Sequence, residues 1–242
     1  MHIHKFYFQL YTAAFPPIDL IVFVINMLFH LDDALLSSHA DCPRFDQLQD
    51  ELEHSEVFKK IYEDNRALFE YISKNVGQNI TNVVELDYVY DTLFIEHNNN
   101  LTLPDWAVPV FNNPKFRELR DYSFVVDTYT PELKRLKGGP FLKKVVSDCD
   151  KVISGTMDPA GRKMFMYSGH DTTVAPILHT LDLFDPPIAP NYAATILFEL
   201  IERDNRFYMK ISYRNETTRP AYELIVPGCE EHLCPIDRFD NH

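Results

Sequence analysis

Apolar residues recur at helical spacing through the first long charged stretch of the chain. In DQLQDELEHSEVFKKIYEDNRALFEYISKNVG, the positions Leu48, Leu52, Val57, Ile61, Leu68 and Ile72 fall close to multiples of one helical turn, and Gly77 supplies a stop. Three further stretches read the same way: NVVELDYVYDTLFIEH before the NNN break, NPKFRELRDYSFVVDTY, and residues 131–153, interrupted by Gly138, Gly139 and Pro140. Residues 43–155 are therefore predicted to be mainly helical. After SGTMDPAGR the pattern changes to short runs that predict strands: KMFMYSG, ATILFELIE, FYMKISYR and YELIVPG. The second and third flank the polar RDNR and predict a β-hairpin. Between the first and second, DTTVAPILHTLDLF predicts a helix that DPP closes.

A strand, helix, strand order around residues 168–171 points to an α/β sheet, in which ligands sit beyond the carboxyl ends of strands. The adjacent His170 and Asp171 fall at such an end. The chain thus reads as an atypical segment over 1–40, a mainly helical domain over 41–155, and part of an α/β domain over 156–242. Within the first segment the apolar run LIVFVINMLF, residues 20–29, is about half the ~20 residues needed to span a bilayer. It follows FPPID rather than a short basic leader, so a buried strand or helix is expected there instead of a signal peptide.

Charge and cysteines narrow the function classes. The formal net charge of -13 excludes a surface built for nucleic acid or anionic membranes, which carry the same sign. The cysteines Cys42, Cys149, Cys229 and Cys234 form no CxxC pair and no zinc spacing with histidine, so no metal site is expected. Cys229 and Cys234 bracket the short loop EEHL, which a local disulfide can close in an oxidising compartment. The sequons at Asn79 (NIT), Asn100 (NLT) and Asn215 (NET) are candidate glycosylation sites and point to the same secreted or lumenal setting.

On the residues alone, two readings of His170 and Asp171 stay open. In one, Asp171, or Thr172 beside it, is a helix N-cap accepting from free backbone N–H groups, and His170 is a hydrogen-bonded packing residue. In the other, an imidazole and a carboxyl group side by side at a helix N-terminus make an anion site with its own proton source. The helix dipole and backbone N–H groups favour phosphate, a histidinium adds charge-assisted hydrogen bonds, and a protonated carboxyl group donates to a leaving oxygen. Such a site works best below neutral pH, because both groups act in their protonated forms.

The stretch MYSGHDTTVAPIL, followed by FELIE, YRNET and LIVPGCEEHLCP and preceded by DCPRFDQLQDE and NLTLPDWA, resembles the prostatic and lysosomal type of the histidine acid phosphatase family. The resemblance covers roughly residues 41–240. It implies a partial doubly wound histidine-phosphatase (phosphoglycerate mutase-like) α/β fold with a largely helical domain, in a secreted or lysosomal protein that hydrolyses phosphate monoesters. In that family a histidine within an Arg-His-Gly motif attacks phosphorus to form a phosphohistidine, and water then releases phosphate. By the same resemblance, His170 holds the phosphate and Asp171 protonates the leaving alcohol, with no metal and no cofactor. The implied partner is a small-molecule phosphate monoester; a homodimer stays open.

The chain departs from the family in its first part. No arginine is followed by histidine, so Arg-His-Gly is absent, and no arginine precedes Arg44, where the family's other phosphate-binding arginines would stand. YTAAFPP is similar to the end of a family helix that precedes an extended loop, which places the start of this chain well inside a full-length member. Past CPIDRF the family continues to a cysteine that partners the one matched by Cys42, leaving the pairing of Cys42 and Cys149 open. On this reading central parallel strands are missing, their neighbours lose ladder hydrogen bonds and present an open edge, and poor stability or aggregation is expected. The chain alone is expected to be inactive. It is then either an incomplete acid phosphatase or a non-catalytic secreted glycoprotein that keeps the His170 and Asp171 corner as a binding module.

Other residues carry weaker signals. Trp106 in LPDWA is expected to pack a helix junction, His97 to close a helix end where the dipole favours a cation, and His2 and His4 to lie in an unstructured terminus. His54, His179 and His232 carry no pattern.

Overall fold

The computed structural model describes residues 5–12, 35–36 and 41–240. In chain order they form strand β1 (Lys5–Thr12), helices α1 (Pro43–Glu53), α2 (Glu56–Asp64), α3 (Arg66–Val76), α4 (Val83–Asn98), α5 (Ala107–Phe111), α6 (Pro114–Val126), α7 (Pro131–Lys137) and α8 (Gly139–Ile153), and strand β2 (Met164–Gly169). Then come helix α9 (Asp171–Thr180), strands β3 (Thr195–Arg203), β4 (Arg206–Arg214), β5 (Tyr222–Leu224) and β6 (Cys234–Pro235), and helix α10 (Ile236–Phe239). The fold is mixed α/β, as expected. It divides into a helical unit, Cys42–Asp127 with Pro187–Ala189, and a second unit that holds the sheet together with α7 to α10. The apolar run at 20–29, His2 and His4 lie outside the described residues. Among the described residues no helix is long and apolar enough to cross a membrane.

In the helical unit the single long periodic stretch is three helices rather than one. Ser55 is extended and its hydroxyl accepts from the Phe58 N–H at 3.4 Å, so it ends α1 and caps α2. Asn65 separates α2 from α3, its side-chain amide donating back to the Ile61 carbonyl at 2.8 Å. Periodicity alone cannot see such breaks, because the apolar stripe continues across them. Gly77 ends α3 at φ 73°, the left-handed conformation that a residue without Cβ adopts freely. Asn82 then starts α4 by accepting from the Val84 and Glu85 N–H groups at 3.1 and 2.9 Å. Asn113, followed by Pro114 in the first turn, starts α6 in the same manner. Helix α5 was not predicted; at five residues it is too short to show a period. Phe69, Ile72, Leu86 and Phe116 are fully buried at the centre of this unit, with Tyr90 edge-on to Phe116 at 5.0 Å.

The sheet runs in the order β2-β1-β3-β4-β5, and β6 pairs with β4. Strand β1 lies parallel to β2, from Tyr7 opposite Met164 to Thr12 opposite Gly169, and antiparallel to β3, from Lys5 opposite Ile201 to Tyr11 opposite Thr195. This corrects two expectations. The place between β2 and β3 is filled, so β3 keeps its ladder on both sides. Tyr11 and Thr12 stand in a strand, not at the end of a helix. The physical reason is the period-two alternation of KFYFQLYT, with Phe6, Phe8 and Leu10 at every second place and polar or tyrosine residues between them. Among the described residues the sheet ends on β2, on which Met164 and Met166 are exposed, and on β5 at the other side.

The predicted hairpin is β3 with β4. Asp204 and Asn205 form its two-residue loop at φ 53° and 58°, the pair of positive angles that a type I′ turn requires. Strand β5 is shorter than the predicted YELIVPG run, and β6, two residues long, had no signal of its own. Because β1 lies between β2 and β3 and runs antiparallel to β3, the β2, α9, β3 sequence is not a parallel crossover. The core of this unit joins Ile196, Phe198 and Leu200 of β3 to Val174, Ile177 and Leu178 of α9 and to Phe141 and Val145 of α8. Phe141 sits edge-on to Tyr167 at 5.1 Å and 6.0 Å from Phe198.

Candidate functional site

Strands β1 and β2 end side by side, Thr12 opposite Gly169, and α9 starts two residues beyond that end. Gly169 is there for close approach. A Cβ on it would lie 3.1 Å from the Thr173 side chain. Thr173 is buried; its hydroxyl oxygen accepts from the His170 N–H at 3.2 Å and its O–H donates to the Leu36 carbonyl at 2.9 Å. These bonds fix the turn from strand to helix. The N-cap residue is His170, at φ -111° and ψ 171°. Asp171 is the first helical residue, and its carboxylate accepts from the Thr172 N–H at 2.7 Å. The N-cap thus falls one residue before Asp171 and two before Thr172.

His170 and Thr172 are exposed and Asp171 is half-buried, whereas residues 173–178 of α9 are all buried. The helix is thus an apolar rod with a polar mouth. At that mouth an imidazole, a carboxyl group and the first-turn N–H groups stand together where the helix dipole is positive. This arrangement can hold an anion and pass a proton to an oxygen beside it.

The other end of α9 holds a histidine that sequence reasoning missed. His179 Nδ1 and Thr128 Oγ1 lie 2.7 Å apart, and Thr128 is fully buried. Burial lowers the His179 imidazole to about 4, the Lys134 ammonium acts in the same direction, and Asp182 and Asp185 oppose it. Lys134 also pairs with Asp182. At Gly138, between α7 and α8, a Cβ would come within 2.2 Å of Thr180 Oγ1 and 3.0 Å of the Pro176 carbonyl oxygen. Nothing in the spacing around His179 marks it, because its partner Thr128 is far away in sequence.

The remaining candidates are spread out. Cys229 and Cys234 form a disulfide with Cα atoms 5.3 Å apart, closing the EEHL loop. Cys42 is half-buried and Cys149 buried, and both are free thiols. Burial, with Asp240, Asp148 and Asp150 nearby, pushes the Cys149 thiol up to about 12, so it is inert as a nucleophile. Trp106 precedes α5 in the helical unit, its carbonyl accepting from the Tyr71 hydroxyl at 2.9 Å. His97 lies in the last turn of α4, its ring 5.2 Å from that of Phe111. Of the sequon residues, Asn79 and Asn100 are exposed, while Asn215 is half-buried and accepts from the Asn191 N–H at 2.8 Å and the Tyr213 hydroxyl at 3.0 Å. Among the described residues no group of three or more His, Cys, Asp and Glu side chains is placed to hold a metal ion.

Residues 20–214 match the histidine phosphatase superfamily (branch 2). The chain is 36% identical over 163 residues to a venom acid phosphatase of Apis mellifera, covering 67% of this chain and 41% of that protein. It is 34% identical over 215 residues to prostatic acid phosphatase of Homo sapiens, with coverage of 86% and 53%. Against lysosomal acid phosphatase of Homo sapiens it is 31% identical over 202 residues, with coverage of 82% and 46%. The chain therefore spans about half the length of the curated relatives it matches.

Proposed function

The chain belongs to the histidine phosphatase superfamily (branch 2), and from that premise we propose that residues 169–172 are the phosphate-holding and proton-donating half of an acid phosphatase site. The observation that carries this reading is the joint placement of His170 and Asp171 at the start of α9, at the carboxyl end of two parallel strands. His170 donates to a phosphate oxygen, helped by the positive end of the helix dipole. Asp171 gives its proton to the oxygen of the leaving alcohol as the phosphorus–oxygen bond breaks. The substrate class is a small phosphate monoester.

The new bond to phosphorus needs a nucleophile, and no Arg-His-Gly motif occurs in these 242 residues. This favours a second reading, in which the chain by itself is a phosphatase-like glycoprotein that binds phosphate without turning it over. The sequons and the Cys229–Cys234 disulfide support a secreted or lysosomal setting, since such bonds persist in oxidising compartments. The similarity to prostatic and lysosomal acid phosphatases agrees with that setting.

Turnover of p-nitrophenyl phosphate at pH 5 separates the readings. The purified chain is compared with the His170→Ala and Asp171→Asn variants. No turnover in any of them is expected for the chain alone. Turnover that both substitutions abolish would overturn the binding-module reading and show that another group supplies the nucleophile.

A further inference from the structure

The helical unit holds a groove of about 290 Å³ between α2 and the segment that leads into α4, and the sequon residue Asn79 lines it together with Thr81. Its volume is at the lower limit of small-molecule sites, roughly 300 Å³. One wall is aromatic. Tyr62 is half-buried and backed by the fully buried Phe69, with ring centroids 5.1 Å apart, so its ring is a fixed platform. The rim is polar: Glu53, which accepts from the Asn82 side-chain amide at 3.0 Å, and Lys59 both line the groove. A rigid aromatic wall with a few hydrogen-bonding groups of both polarities suits a sugar ring, which has apolar C–H faces and a belt of hydroxyls.

The loop that carries Asn79 is anchored beside this groove. Ile80 is buried, and its N–H donates to the Ser73 hydroxyl at 2.9 Å. Thr81 is held by Glu85, which accepts from both its N–H, at 2.7 Å, and its hydroxyl, at 3.1 Å. Asn79 directly precedes these two fixed residues, is exposed, and makes no side-chain hydrogen bond among the described residues. Its amide is free to carry a substituent, and the groove lies next to it.

We propose that Asn79 carries an N-linked glycan whose first sugar seats in this groove against Tyr62. The bond forms between Asn79 Nδ2 and the anomeric carbon of the sugar, as the amide loses one proton and the diphosphate of an oligosaccharide-diphospholipid donor departs. The proposal does not depend on the phosphatase reading. It rests on passage through a compartment that glycosylates. The bound sugar covers the aromatic wall and ties α2 to the start of α4, so it adds stability to the helical unit.

The test uses the whole chain secreted from a eukaryotic host. Mass spectrometry of the Asn79 peptide is expected to show an attached glycan, and an unmodified Asn79 would overturn the proposal. Trimming to a single residual sugar is expected to leave the melting temperature unchanged, whereas Asn79→Gln lowers it by about 2–4 °C. Tyr62→Ala is expected to lower the melting temperature more in the glycosylated protein than in the Asn79→Gln background, with Lys59→Ala as the milder partner should Tyr62→Ala fail to fold. Additive losses, or a trimmed protein as unstable as Asn79→Gln, would contradict a seated sugar.

Discussion

Helix α9 carries a histidine at each end, and the two are held in opposite ways. His170 caps the N-terminal end, exposed, beside Asp171 at the positive end of the helix dipole. His179 sits in the last turn against the buried hydroxyl of Thr128, lowered to about 4 by burial and by Lys134. A histidinium near a helix C-terminus is normally favoured by the dipole. Here desolvation outweighs that effect, and the ring stays neutral. On the proposed reading the same residue type serves chemistry at one end and anchoring at the other. Solvent access and the neighbouring charges decide which.

This contrast breaks most sharply at the anchored end. Gly138→Ala places a methyl group where Thr180 Oγ1 and the Pro176 carbonyl already stand, and is expected to destabilise by about 1–3 kcal/mol in urea unfolding. An unchanged midpoint would mean that α9 is not held tightly against the start of α8. Thr128→Val removes the partner of His179 while keeping the shape, and about 1–2 kcal/mol should be lost in the same assay.

Acid sharpens the comparison without mutation. The His179 pKa is lowered from 6.5 in the unfolded chain to about 4 in the folded one. Between those values the unfolded state binds the extra proton, so the contribution of His179 is fully present above about 6.5, fades as pH falls through that window, and is gone below about 4. Melting curves from pH 7 to 4 should show this slope, and His179→Gln should flatten it. The smallest effect on stability is expected at the mouth. His170→Ala should change unfolding by no more than about 0.5 kcal/mol, because the side chain is exposed. A large loss there would make His170 a structural residue and remove the contrast.

Much of this was legible in the sequence where local physics decides. Helices α4 and α6 follow an apolar period that starts at Asn82 and Asn113, and the β3–β4 hairpin is announced by a polar Asp-Asn loop between two apolar runs. Gly169, His170 and Asp171 could be placed at a strand end because the apolar burst, the glycine and the helical pattern adjoin. What escaped depends on partners distant in sequence. The period-two alternation of KFYFQLYT is local, but the place of β1 between β2 and β3 is set by its ladders to Met164 and Ile201, and His179 is marked by Thr128. The breaks at Ser55 and Asn65 were hidden because the apolar stripe runs through them, although a serine ahead of Glu56 is a cap signal in its own right.

The central claim is that α9 offers a phosphate-holding mouth at His170 and Asp171, and a titration of inorganic phosphate at pH 5, followed through the histidine ring signals by NMR, tests it most directly. The account predicts a saturable shift of the His170 signals, with His179 unmoved, and loss of the response in His170→Ala. Phosphate binding that leaves the His170 signals in place, or that persists unchanged in His170→Ala, would contradict it.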